Sequence, residues 1–182
     1  MANIEPLLKS YEQFVRLSWQ SGLAGAQKVW MAVYDEADER RLRARIGAFE
    51  NATVSAAHGW QTCDLTNMFA EWMAAYEYRE HYFGAPEDME MVLEDFFLHV
   101  VSVVEDALSA PSVDEKTVVA LTGVASLFGL TRASRLVDQV SGTIRGRLLV
   151  FFPGSREGNN FRLLDARDGW NYLAIPITAT EG

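Results

Sequence analysis

One cysteine, Cys63, is all that the 182 residues contain. A single thiol excludes an internal disulfide framework and a multi-thiolate zinc site, and it fits a reducing compartment. No apolar run reaches the roughly eighteen residues that a bilayer-spanning helix needs. The opening MANIEPLLKSYEQF lacks the basic-then-apolar form of a secretory signal. The expectation is a cytoplasmic protein with no membrane association. Positive charge is also scarce: 16 Lys and Arg face 25 Asp and Glu, for a net charge of −9. Without a broad positive field, autonomous nucleic-acid binding is not expected, and a basic partner surface fits better.

Catalytic signatures are missing as well. A nucleotide site of the P-loop kind needs a glycine-rich loop ending in Lys and Ser or Thr, so that amides and an ammonium surround the phosphates. The nearest fragments, LTGVASLFG and FFPGSREG, have glycines but no lysine, and neither has the G-x-G-x-x-G spacing of a dinucleotide loop. The three histidines, His58, His81 and His99, include no i, i+4 pair that would place two imidazoles on one helical face. No serine sits in a G-x-S-x-G elbow. No cofactor is expected.

What is present is enough for a packed domain: 49% of residues are hydrophobic and 23% charged. The length fits a single domain over 1–182. Leu7, Tyr11, Phe14 and Val15 recur at helical spacing, so residues 1–21 read as a covering helix. VWMAVY is an apolar run of strand length that ends at Asp35, a good helix cap before the charged DEADERRLRARIGAFEN. WQTC, then Asp64, then Leu65, Phe69, Trp72, Met73 and Tyr76 repeat the sequence of strand, carboxylate and helix. Pro86 opens a helix with an apolar stripe through Val104, and TVVALTG is a further buried strand. Thr131 is placed to cap a helix running to Arg145, which Gly146 ends. RLLVFF is the strongest strand signal. PGSREGNN reads as a turn, followed by FRLL and NYLAIPI as a C-terminal strand-turn-strand within 147–178, with Pro176 confining the last strand to an edge. The expected fold is α/β, a single three-layer domain with a mostly parallel sheet, like a P-loop ATPase without its Walker A motif.

Ligands of open parallel sheets bind beyond the carboxyl ends of the strands. Asp35 and Asp64 both fall there. If their strands were neighbours, the two carboxylates could share a magnesium ion and serve a phosphoryl-processing enzyme; the local reading is that each simply caps the helix that follows.

Charge is distributed unevenly. From Thr131 onward there are seven Arg and five acids, against nine bases and twenty acids upstream. Glu87, Asp88, Glu90, Glu94, Asp95, Glu105 and Asp106 follow one another with no Lys or Arg before Lys116. Such a one-sign helix suits either a solvated face or docking to a basic partner. Aromatic and Arg side chains at the C-terminal turn are natural interface anchors. Glu90, Glu94, Arg156, Arg167, Trp170 and Tyr172 are therefore the candidate partner-binding residues.

Taken together, VWMAVYDEADERRLRARI, the Asp64-Leu65 pair, VVALTGVASLFG, and FFPGS leading to the F-R-L and N-Y strands resemble the BrxB family (DUF1788 type) of BREX bacteriophage-exclusion systems, over most of residues 28–178. The resemblance implies a bacterial antiviral defence component encoded beside a PglZ phosphatase-like protein, an adenine-specific DNA methyltransferase and an ATPase. It carries no catalytic residues with it. The function expected on this basis is a noncatalytic assembly subunit of a defence complex, binding a PglZ-like partner and other subunits.

Overall fold

A computed structural model describes residues 4–75, 88–157, 160–163, 170–171 and 174–179, with the backbone alone at 163, 170 and 171. Five strands form a sheet in the order β2-β3-β4-β1-β7, all parallel: β1 (Val29–Tyr34), β2 (Gly59–Asp64), β3 (Thr117–Thr122), β4 (Arg147–Glu157) and β7 (Ile175–Ile177). The short strands β5 (Asn160–Leu163) and β6 (Trp170–Asn171) extend it antiparallel from the far end of β4.

The apolar runs are continuous because helices cover both faces of the sheet. In β1, Trp30, Ala32 and Tyr34 face the layer made by α1 (Ile4–Val15) and α2 (Glu39–Ser55), together with Val118, Ala120, Leu149 and Phe151. Val29 and Met31 point the other way with Val119, Leu121, Leu148, Val150 and Phe152, under α4 (Met89–Leu108) and α5 (Ala133–Val140). The period of two along each strand thus feeds two cores. The expected mixed architecture, a mostly parallel sheet between two helical layers, is what forms.

Spacing decides how the covering helix sits. Ile4, Leu7, Leu8, Tyr11 and Val15 are buried on one side of α1, and Tyr11 packs against Phe49 of α2 at 5.4 Å between ring centroids. The Tyr11 hydroxyl lies 2.6 Å from Thr53 Oγ1, which itself donates to Phe49 O at 2.8 Å. Tyr11 is therefore the donor in its pair, and both buried hydroxyls are satisfied.

Four expected boundaries move. The helix after Thr131 starts at Ala133 and is α-helical only to Val140; a 3₁₀ turn over Ser141–Thr143 precedes β4, since Ser, Gly and Thr are poor helix formers. Asp64 does not cap the next helix directly, because α3 begins only at Met68 and ends at Ala75. PGSRE is strand rather than turn. Pro153 is the last residue of β4 in register with β1, opposite Tyr34, and Gly154 is the first in register with β5, opposite Leu163. A residue without an N–H is tolerated where the partner strand changes. NYLAIPI likewise divides: Asn171 belongs to β6, and Ile175–Ile177 ends the parallel sheet beside β1, the edge position that Pro176 favours. Tyr76, His81, Pro86 and Glu87 lie outside the described residues. Among the described residues no helix is long and apolar enough to cross a membrane.

Candidate functional site at the carboxyl edge of the sheet

Beyond the ends of β2 and β3, under α2, lies a cavity of about 310 Å³ lined by Glu39, Arg43, Asp64, Thr66, Thr122 and Gly123, with Leu42 and Ile46 as its apolar wall. Asp64 Oδ1 accepts from the Thr66 amide at 3.0 Å and from the Thr66 hydroxyl at 2.6 Å. Arg43 Nη2 donates to that same hydroxyl oxygen at 3.2 Å, while Arg43 Nε holds Glu39 Oε1 at 2.9 Å. Glu39 in turn accepts from the Tyr34 hydroxyl. A chain of polar contacts therefore runs from the end of β1 to the end of β2, carried across by one turn of α2.

Burial pushes the Asp64 carboxyl up, but the hydrogen bonds from Thr66 and Thr122, with the Arg43 guanidinium nearby, more than offset it and hold the group below the usual carboxylate range. A depressed folded-state value contributes stability that is present above the unfolded carboxylate value, about 3.9, and is lost as pH falls through the folded one. Asp64→Asn is thus expected to melt below the parent at pH 7, with the gap closing as pH falls below about 4. Melting curves across pH 2.5–7 check this; a gap that stays constant with pH would show that charge is not what Asp64 contributes.

The family-like fragments D-L and TG meet here. The Leu65 amide donates to Thr122 O at 2.9 Å, and Ser126 Oγ lies 2.9 Å from Leu65 O and 2.7 Å from Gly123 O. Gly123 has φ +72°. A Cβ placed on it would stand 2.4 Å from Thr66 Oγ1 and 2.8 Å from Asp64 Oδ1, so only glycine lets the end of β3 lie against the Asp64 turn. The neighbouring Cys63 is buried, and burial with the charge of Asp64 raises its thiol to about 11. It is a buried thiol, protonated at neutral pH.

Asp35 and Asp64 do not come together. Their strands, β1 and β2, are separated by β4 and β3. Three strand intervals amount to about 14 Å, far beyond what one magnesium ion at about 2.1 Å from each oxygen can bridge. The shared-metal reading is corrected accordingly. Asp35 instead caps a 3₁₀ turn over Glu36–Asp38, accepting from the Ala37 amide at 2.9 Å.

The candidate partner residues are dispersed. Glu90 is exposed in the first turn of α4. Glu94 is not an unpaired acid: Arg135 of α5 grips both its oxygens at 2.7 Å, and its guanidinium lies 3.9 Å over the Phe97 ring. Packing of α5 on α4 supplies a cation that the local sequence does not contain. Arg156 is exposed on the part of β4 that runs beyond the parallel sheet, opposite Phe161. Trp170 pairs through its backbone with Phe161, and Arg167 and Tyr172 lie outside the described residues. The polar chain through Glu39, Arg43 and Thr66 was not singled out in the sequence, where Glu39 and Arg43 look like any i, i+4 pair on a solvated helix.

A family model described as BREX protein BrxB matches residues 63–177, more than half of the chain. The match takes in the Asp64 turn, the TG strand end, α4, α5 and β4 through β7, and stops short of α1, β1 and α2. Neither a curated protein nor a solved structure matches.

Proposed function

We propose, from the premise that this chain belongs to the BrxB family of BREX antiphage defence components, that it is a noncatalytic assembly subunit that binds a PglZ-like partner. The observation carrying this reading is the outward face of α4. While Val92, Phe96, Phe97, Val100, Val104 and Leu108 are buried, the opposite side holds Met91 and Leu98 at 65% and 54% exposure, seven residues apart on one stripe flanked by Glu94 and Asp95. Two large apolar side chains flanked by Asp95 and the Glu94–Arg135 ion pair fit a partner groove that is apolar at its centre and polar at its rim. The polar groups of the carboxyl edge support the noncatalytic part. Asp35, Glu39 and Asp64 each accept hydrogen bonds from neighbouring protein groups, as turn and helix supports do.

Met91→Lys/Leu98→Lys is expected to weaken co-purification of the PglZ-like protein more than tenfold and to abolish phage protection, with an unchanged melting curve because neither side chain is in the core. Arg156→Glu tests the strand arm in the same assay. Binding lost with Arg156→Glu and kept with the helix variant would move the interface from α4 to β4 and β5; binding kept in both would remove this reading of the partner surface.

A further inference from the structure

At the opposite end of the sheet, where α1 runs into the loop before β1, a second cavity of about 190 Å³ is lined by Phe14, Leu17, Trp19, Trp30, Arg147 and Ile175 among others. Its chemistry is unlike that of the carboxyl edge. Arg147, the first residue of β4, is 5% exposed. Its guanidinium donates to Gly146 O and Gln20 O, both at 2.9 Å, and lies 4.9 Å from the Trp19 ring centroid. These bonds use two of its five N–H groups. Among the described residues no carboxylate pairs with it.

A buried cation without an anion is costly, and backbone carbonyls offset only part of that cost. Beside it, the indole Nε1 of Trp19 is buried and has no hydrogen-bond partner. The ring itself is fixed: it stacks on His58 at 3.7 Å and 4°, meets Trp30 edge-on at 5.3 Å, and His58 Nδ1 is bonded to Lys116 O. An unpartnered indole N–H and a guanidinium with three N–H groups beyond its two carbonyl bonds therefore stand at one small cavity, whose remaining lining is apolar apart from Ser18 and Gln20.

We infer that this cavity is a binding site for the C-terminal residue of a partner polypeptide, its carboxylate taken by Arg147 and the Trp19 N–H and its apolar side chain by Phe14, Leu17 and Trp30. The size selects a single residue: small-molecule pockets typically run from about 300 Å³ upward, so 190 Å³ is too small for a nucleotide. The charge selects the carboxylate end, and the aromatic walls select an apolar side chain over a polar one. Leu17, 62% exposed, and Ile175, 36% exposed, stand at this cavity as apolar surface for the residues that precede the terminus.

The test uses the full chain and the ¹⁵N–¹H signals of its tryptophan indoles, with the Trp19 signal assigned by its loss in Trp19→Phe. The probe is a short peptide ending in leucine, as the free acid and as the C-terminal amide. The acid is expected to move the Trp19 indole proton downfield in a saturable way as that N–H gains an acceptor, and the amide to bind at least tenfold more weakly. Trp19→Phe keeps the stacked ring and removes the donor, so it should weaken the acid about tenfold when followed at Trp30. Equal response to acid and amide, no response to either at millimolar concentration, or displacement of the peptide by inorganic phosphate or acetate at its own concentration would each overturn the assignment.

Discussion

Gly123→Ala is expected to lower the melting temperature by about 4–20 °C. An alanine forced to the left-handed conformation costs roughly 1–2 kcal/mol, and pushing its methyl group into a filled space costs roughly 1–3 kcal/mol more. For a chain of this length each kcal/mol corresponds to about 2–4 °C. The filled space is the turn after β2: the added carbon would lie 2.4 Å from Thr66 Oγ1 and 2.6 Å from the Thr66 amide. Since the amide is backbone, no rotamer change relieves the second contact. The Asp64–Thr66 bonds should be lost with it, so the pH dependence of stability assigned to Asp64 should also flatten in this variant. A melting temperature within a degree of the parent would show that the turn can shift freely.

Phe49→Ala should be of similar or larger effect. Phe49 is fully buried at the meeting point of three elements, with its ring 5.4 Å from Tyr11 of α1 and 5.0 Å from Phe151 of β4, the latter edge to face. Removing a buried phenylalanine costs about 3–5 kcal/mol, because the transfer free energy is lost and the cavity collapses only in part. The corresponding fall in melting temperature is about 6–20 °C. The Tyr11–Thr53 hydrogen bond lies against the same ring, so amide hydrogen exchange in α1 should quicken before exchange in α4, on the other side of the sheet. Uniform acceleration in both helices would mean that the two layers do not respond separately.

The strands of this fold were more legible in the sequence than its edges. VWMAVY, TVVALT and RLLVFF are short runs rich in β-branched, aromatic and other apolar side chains, the pattern of a strand buried on both faces, so β1, β3 and the first part of β4 follow from run length and residue type. Local chemistry misled at Pro153-Gly154, because a dipeptide that commonly marks a turn also serves where a strand passes from one partner to another. Glu39, Arg43 and Thr66 could not be found, since nothing in the spacing of an ordinary ion pair tells that a threonine 23 positions later lies beneath it. Asp35 and Asp64 were rightly placed at the same edge; their separation depended on strand order, which alternation alone does not encode. Arg147 and Trp19 are 128 positions apart, so nothing local in the sequence tells that the guanidinium lies over the indole.

The position of β1 also governs when the sheet can close during synthesis. β1 leaves the ribosome more than a hundred residues ahead of its two neighbours, β4 and β7, which start at Arg147 and Ile175. Until those segments emerge, six residues with almost no polarity wait without either hydrogen-bonding partner, shielded by α1 and α2 alone. Loop-closure entropy over more than a hundred residues slows such pairing, and a nascent chain in that state is exposed to aggregation. Chains stalled or truncated before Arg147 therefore carry an open strand, and their survival should depend on chaperones far more than that of the finished protein.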